Sequence, residues 1–151
     1  MPKSIRRPQN YGSPIIFLMH QIAQTSRKEV LLGFKEQGVD LTPEQWSLLI
    51  ELWKEDGLSP SKLAALTCRD RPSTSRLIES LKKRGLIKRM YNEEDRRAYS
   101  VYLTEDGKQC HKTLLPIYNE VITQSLEGMD QTEQKELVRL LKHVYKNLIS
   151  I

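Results

Sequence analysis

The amino-acid sequence predicts a mainly α-helical protein with one small β-hairpin. Apolar residues recur at helical spacing over most of the 151 residues, in segments that begin at capping residues and end near glycines. Between Gly85 and Thr104 the spacing changes to the alternation that is typical of β-strands. Because 38% of the residues are hydrophobic, the chain can bury one good core, or a small domain plus a helical platform.

Three helices are predicted in the first half of the chain. Ser13-Pro14 combines a cap with a proline at the first helical position and predicts a long apolar helix that ends near Gly38. Thr42–Gln45 reads as a capping box with proline and opens a second helix that ends before Gly57. Ser59-Pro60 opens a short third helix.

A fourth helix and a hairpin follow. The fourth helix is predicted from Arg71 to Arg84, with Gly85 as its left-handed cap. Two strands, 86–91 and 98–103, are joined by the charged loop 92–97. The third and fourth helices therefore read as a helix-turn-helix, and the hairpin as a wing beside it.

Two more helices are predicted after the hairpin. Thr104 caps the first of them, Pro116 in its interior predicts a kink, and Gly128 marks its end. Asp130 with Glu133 indicates the start of the last one. The order of elements, with a strand-like Leu58 before the helix-turn-helix, predicts a winged helix-turn-helix at residues 41–103 on a helical platform formed by residues 1–40 and 104–151.

The net charge of +5 lies entirely in residues 69–97. That stretch contains ten of the 24 Lys and Arg and five of the 19 Asp and Glu, which leaves 14 of each sign in the rest of the chain. Charge concentrated on a helix and a hairpin is the footprint of a surface that meets a polyanion, so double-stranded DNA is the predicted partner.

The helical wheel of the fourth helix selects the candidate DNA contacts. With Leu77, Ile78 and Leu81 facing inward, Thr74 points to the core and Ser75 lies at the edge. The opposite face carries Ser73, Arg76, Ser80 and Lys83, and the preceding turn carries Arg69 and Arg71 as phosphate clamps. Arg76 is placed to reach a guanine edge or a phosphate, and the sequence leaves both open.

Several of these segments together resemble the MarR family of multiple antibiotic resistance regulators. The resemblance covers almost the whole chain and is carried by Leu41–Trp46, Leu63–Leu77, Leu81 with Gly85–Ile87, Asp95–Arg97 and Leu103–Gly107. It implies a dimeric bacterial transcription regulator, often a repressor that a small ligand or oxidation releases.

The wing loop holds a second set of candidates in Asp95, Arg96 and Arg97. A carboxylate paired with one arginine fixes the loop while the other arginine enters the minor groove of DNA. The family resemblance assigns such roles to these three residues without saying which arginine does which. For an isolated hairpin a solvated charged loop would be the simpler interpretation, but the preceding helix favours the wing.

The long apolar terminal helices allow two interpretations. They complete the core of one subunit, or they interlock with a second copy. We favour a homodimer, because two recognition helices must be held about one DNA turn apart to read a palindromic operator.

The remaining chemistry is sparse. Phe17, His20, Trp46, Trp53 and Tyr118 are candidates for an effector pocket, with plain core packing as the simpler interpretation. Cys68 and Cys110 are either redox switches or, more simply, small core residues, and neither they nor the three histidines have metal-ligand spacing. No catalytic motif or cofactor site is found, so we expect a protein that is not an enzyme.

The sequence also predicts where the protein is found. No apolar run is long enough for a membrane span and residues 1–11 lack a signal-peptide core, so a cytoplasmic protein is expected.

One alternative to DNA binding stays open. The chain could be a winged-helix module for protein–protein contact, which would not need the concentrated positive charge.

Overall fold

The computed structural model describes residues 14–150. The predicted cap at Ser13 and the other residues of 1–13, together with Ile151, lie outside the described residues. Six helices and one hairpin follow in order, as the sequence predicts: α1 Pro14–Glu36, α2 Pro43–Lys54, α3 Pro60–Leu66, α4 Arg71–Lys83, β1 Ile87–Tyr91, β2 Tyr99–Leu103, α5 Glu105–Ser125 and α6 Gln131–Ile149. The predicted fold class, mainly α with a small hairpin arranged as a winged helix-turn-helix, is confirmed.

Local side-chain chemistry explains where the helices begin. Thr42 and Asp130 each form a complete capping box. The cap side chain accepts a hydrogen bond from the backbone N–H of the third residue of its helix, and the side chain of that residue accepts one from the cap backbone. Thr104 caps α5 by accepting a hydrogen bond from the backbone N–H of Gly107. α5 continues across Pro116 to Ser125 without a break, so the kink predicted there does not interrupt the helix.

The wing is an antiparallel pair in which Ile87 lies opposite Leu103 and Tyr91 opposite Tyr99. Leu58 forms a single antiparallel bridge to Val101 on the other side of β2, which confirms its strand-like character. The buried core joins the second half of α1 to the helix-turn-helix, the wing and α5 through Val30, Phe34, Leu41, Trp46, Leu48, Leu49, Leu52, Leu58, Leu63, Ile78, Leu81, Ile87, Val101, Leu103 and Leu114.

Gly107 allows the first turn of α5 to pack closely against the backbone of Leu86, just before β1. A Cβ atom at this position would lie 2.1 Å from the carbonyl oxygen of Leu86, so no larger residue fits without a backbone shift. The indole Nε1 of Trp53 also donates a hydrogen bond of 3.2 Å to the carbonyl of Gly107. The start of α5 is therefore fixed against both α2 and the wing.

The terminal helices leave much of their apolar surface uncovered. α6 has no buried residue, although Leu137, Leu140, Leu141, Leu148 and Ile149 all lie along it. The first turns of α1 expose Ile15, Ile16, Phe17, Leu18 and Ile22 in the same way. Within one subunit, α1 thus contributes Val30 and Phe34 to the core, whereas α6 contributes no buried residue. Within the described residues, no helix is both long and apolar enough to cross a membrane.

Candidate nucleic-acid interface

α4 buries one face and presents the other to solvent, as the helical wheel predicts. Thr74 is fully buried, and its hydroxyl donates to the carbonyl of Asp70 at 2.9 Å. Ile78 and Leu81 are also fully buried, whereas Arg76 and Lys83 are exposed. The buried face anchors α4 in the core, and the side chains of Arg76 and Lys83 on the other face reach solvent.

A chain of hydrogen bonds orients Arg76. Asp70, the N-cap of α4, accepts from the backbone N–H of Ser73 at 2.7 Å and from the Ser73 hydroxyl at 2.8 Å. The Nη2 of Arg76 in turn donates to the Ser73 Oγ at 3.2 Å. The backbone and side-chain hydrogen bonds from Ser73 lower the pKa of Asp70 below its ordinary 3.8. The N-cap that starts α4 therefore also holds Arg76 in place through Ser73.

This cap predicts a pH-dependent stability difference between the wild type and Asp70→Asn, which keeps an oxygen acceptor but removes the charge. Because the pKa of Asp70 is lower in the folded than in the unfolded protein, its carboxylate stabilises the fold above about pH 4, and the effect is lost as the pH falls through the folded pKa. Urea denaturation should show a higher free energy of unfolding for the wild type near neutral pH, and the difference should shrink in acid.

The control for this prediction is Glu94→Gln, which removes a loop acid whose carboxylate accepts no hydrogen bond from the described residues. An Asp70→Asn difference that persists unchanged into acid would contradict the assigned role of the carboxylate.

Ser75 and Ser80 differ in their surroundings. Ser75 is half-buried at the edge of α4, as predicted. Ser80 is half-buried as well, but its Oγ accepts a hydrogen bond of 2.7 Å from Nε2 of the buried Gln45 on α2. The crossing of α2 over α4 at this point engages the Ser80 hydroxyl, and a role of Ser80 in DNA binding stays a prediction.

Three arginines of the positive stretch are tied to neighbouring elements. Arg71 donates to the hydroxyl of Ser61 at the start of α3. Arg84 donates to the backbone carbonyl of Asp40 and, at 3.0 Å, to Oε1 of Gln45. Arg69 lies 3.9 Å from the carboxylate of Glu44. Arg69 and Arg71 stand beside the start of α4, where phosphate clamps were predicted, but each already has a protein partner.

Asp95 braces the wing loop in a way the sequence does not reveal. Its Oδ1 accepts from the backbone N–H of Arg97 at 2.9 Å, and its carbonyl accepts from the N–H of Ala98. Within the described residues no arginine guanidinium forms an ion pair with Asp95, so the predicted pairing is wrong. A short loop allows its carboxylate to close on the backbone, which leaves both Arg96 and Arg97 exposed.

Arg89 is a residue of this region that the sequence pattern did not single out. Its Nη2 lies 2.8 Å from Oε2 of Glu79 on α4, and its guanidinium lies over the ring of Tyr99 at 4.9 Å. The alternation of the strand was the available signal, because it places residue 89 on the same face as the buried Ile87.

Six cations of the 69–97 stretch are exposed and, within the described residues, have no carboxylate within ion-pairing distance and no hydrogen bond to another element. They are Arg76, Lys82, Lys83, Lys88, Arg96 and Arg97. They lie on α4 and on the wing, so the uncompensated charge is concentrated on these two elements.

A cavity of about 230 Å³ lies between α1, α2 and α5. Trp46, Trp53 and Tyr118 line it, and the imidazole of His111 stacks on Trp53 with ring centroids 4.8 Å apart. Phe17 and His20 do not line it, so the predicted set is wrong at those two positions. The reason is that α1 reaches the cavity only at its second half, through Phe34, whereas Phe17 is 63% exposed near its start.

The two cysteines have different environments. Cys68 is exposed in the turn before α4, with a backbone φ of 52°, so the prediction of a core residue is wrong there. That turn needs a left-handed residue, and its side chain points outward. Cys110 packs against the core, and burial raises the pKa of its thiol, with the charge of Arg84 offsetting part of the effect. A thiol with a raised pKa is a poor nucleophile at neutral pH.

Comparison with known proteins decides the family. A family model described as "MarR family" matches residues 41–99, from just before α2 into β2. A "probable transcriptional regulator" from Pseudomonas aeruginosa, solved as a crystal structure, is 30% identical and has a TM-score of 0.73 over 86% of this chain and 96% of its own. The chain belongs to the MarR family.

Other similar proteins agree with this assignment. A MarR-family transcriptional regulator from Listeria monocytogenes, solved in complex with a 26mer DNA, is 26% identical to this MarR-family chain, with a TM-score of 0.81 over 91% of this chain and 90% of its own. The Bacillus subtilis regulator YwaE is 33% identical over 68% of this chain, and the Escherichia coli repressor MprA is 26% identical over 76%. The matches span 60% of YwaE and 65% of MprA, less than two thirds of either relative. The family is one of transcriptional regulators and not of enzymes.

Proposed function

We propose that this MarR-family protein is a sequence-specific transcription regulator that binds a palindromic operator in double-stranded DNA as a homodimer. The observation that carries the proposal is the set of exposed, uncompensated cations on α4 and the wing. A polyanion gains most from such a surface, because each neutralised phosphate releases condensed counterions. The Listeria relative crystallised with a 26mer DNA supports the same partner.

The two elements have different roles in this proposal. α4 enters the major groove, with Arg76 positioned by Ser73 to reach a base edge and Lys83 directed at the phosphates. The wing follows the adjacent minor groove with Arg96 and Arg97, where arginine is favoured by the negative potential of a narrow groove. Arg69 and Arg71 bind phosphate beside the start of α4, and Ser73 and Ser75 line its first turns. Asp95 holds the wing loop in shape through the N–H of Arg97.

The uncovered apolar faces support the homodimer. In the described chain α6 buries nothing, and the start of α1 exposes a row of large apolar residues. Exposed patches of this kind mark interfaces. We assign dimerisation to residues 1–40 and 104–151, and DNA binding to residues 41–103.

Repression and an effector complete the proposal. The similarity to the repressor MprA favours repression. The cavity lined by Trp46, Trp53, Tyr118 and His111 is large enough for one small compound of about the size of benzene, and it lies between the platform and α2, which packs against α4. A small ligand is a better effector than oxidation of Cys110, whose thiol has a raised pKa.

Anisotropy titrations should separate base reading from general affinity. Arg76→Ala should cost about 1–3 kcal/mol per lost base contact and reduce the discrimination between operator and random duplex. Arg96→Ala or Arg97→Ala should weaken both duplexes more uniformly, because a wing charge acts on shape and phosphate more than on base identity. The operator for these titrations is a duplex that the wild-type protein selects from a random library.

Asp95 provides a matched pair within the same experiment. Asp95→Asn keeps an acceptor for the Arg97 N–H, whereas Asp95→Ala removes it, and both make the same charge change. The alanine variant should bind operator more weakly than the asparagine variant. Equal affinity of the two, or full specificity in Arg76→Ala, would show that the bracing and reading roles are wrongly assigned. Binding of no duplex at all would favour the protein–protein module.

A further inference from the structure

Arg89 joins α4 to the wing. Its guanidinium Nη2 lies 2.8 Å from Oε2 of Glu79, ten residues earlier in the chain. The Arg89 side chain is 19% exposed and that of Glu79 is 40% exposed. Because the pair is partly shielded from water, salt screens it less than a fully exposed surface ion pair.

The aromatic side chains of the hairpin hold Arg89 from the other side. The guanidinium lies over the Tyr99 ring at 4.9 Å, and the Tyr99 ring contacts that of Tyr91 at 5.6 Å. In the register of the hairpin Tyr91 lies opposite Tyr99, and Arg89 opposite Val101, so these residues share one face. Arg89 is thus enclosed between a carboxylate of α4 and an aromatic pair of the wing.

The position of this contact along the hairpin matters. At the base of the same face, Ile87, Val101 and Leu103 are buried. Beyond Arg89, Tyr91 is exposed and Tyr99 only half-buried, and the loop with Arg96 and Arg97 continues into solvent. The Glu79–Arg89 pair therefore stands where the packed base of the wing ends and its free arm begins.

We propose that Glu79, Arg89 and Tyr99 form a positioning network that fixes the angle of the wing arm relative to α4. The inference rests on the proposed function, because the network allows Arg76 in the major groove and Arg97 in the minor groove to engage one DNA segment together. The wing arm is then already ordered before binding, so little conformational entropy is lost when it contacts DNA. Arg89 acts through the position of Arg97 and does not itself bind DNA.

A double-mutant cycle tests this role. Arg97→Ala is measured in the wild-type background and in Glu79→Gln and Arg89→Gln backgrounds, by anisotropy on the duplex that the wild-type protein selects from a random library. We expect Arg97→Ala to weaken operator binding about tenfold in the wild type and less than about twofold in either network variant, because a misplaced arm no longer delivers Arg97. The two network variants change the net charge in opposite directions, so charge alone cannot produce the same loss of coupling.

Two further variants exclude a merely structural effect. Glu136→Gln breaks the 2.6 Å pair with Arg139 and repeats the charge change of Glu79→Gln on α6 instead of on α4, so the Arg97 effect should remain about tenfold. Arg89→Lys keeps the positive charge and should restore most of that effect. Each variant is first checked for a thermal unfolding transition like that of the wild type. If Glu79→Gln does not fold, the comparison of Arg89→Gln with Arg89→Lys carries the test.

The outcomes separate this inference from the proposed function. An Arg97→Ala effect that stays tenfold in both network variants would overturn the positioning network while leaving DNA binding intact. Loss of operator binding in Glu79→Gln but not in Arg89→Gln would also overturn it, because it would identify Glu79 as a direct base contact. A wild-type protein that selects no duplex would instead overturn the proposed function.

Discussion

Raising the salt concentration from 50 to 200 mM should weaken operator binding by about 10⁴-fold. Each neutralised phosphate contributes about −0.9 to the slope of log K against log salt. If two copies each use about four of the six cations without a partner in another element on phosphates, the slope is about −7. Over a fourfold change in salt, that slope gives a change of about four decades in the association constant.

Anisotropy over a salt series on the selected duplex and on random duplex measures this slope. Lys83→Ala should make it less steep by about two for the dimer, one for each lost phosphate contact. Lys142→Gln on α6, which removes a charge from the platform, is the matched control and should leave the slope unchanged. A slope near zero on every duplex would favour the protein–protein module.

A charge placed in the uncovered apolar face of α6 should abolish dimerisation and, with it, most of the affinity for DNA. Leu141 is 37% exposed in the single chain and lies in a helix that buries nothing there. In the apolar interface between two subunits, an aspartate would be an unpaired buried charge, which strongly destabilises the dimer. Leu141→Asp should therefore give a monomer of about 17.6 kDa by light scattering.

Loss of the dimer removes simultaneous binding to two half-sites. We expect Leu141→Asp to bind the operator about 10²- to 10⁴-fold more weakly, the range over which linked sites exceed single ones. Lys142→Gln makes the same charge change on the next residue and should remain a dimer with the affinity of the wild type. A monomeric wild type at micromolar concentration, or a Leu141→Asp dimer, would contradict the proposed interface.

The order of elements could be read from the sequence because its signals are local. Thr42 and Asp130 begin helices through hydrogen bonds to residues two or three positions away, and such spacings are visible in the chain. Helical periodicity likewise identified the buried face of α4, including the polar Thr74. The position of the net charge required only counting.

Contacts between elements were decided by the tertiary structure. Helical spacing placed Ser80 outward, but the crossing of α2 over α4 brings Gln45, 35 residues away, onto its hydroxyl. The pairing of Arg89 with Glu79 depends in the same way on how the wing folds back on α4.

The sequence by itself determined the helices, the hairpin, the charged surface and the face of α4 that carries Arg76. Only the tertiary structure decided which cations already have protein partners, that Asp95 closes on backbone and not on an arginine, and that His111 rather than His20 joins the tryptophans of the cavity. The physical reason is that periodicity fixes the direction of a side chain relative to its own helix or strand. Its neighbours are fixed only when those elements pack against each other, with angles and offsets that no local pattern contains.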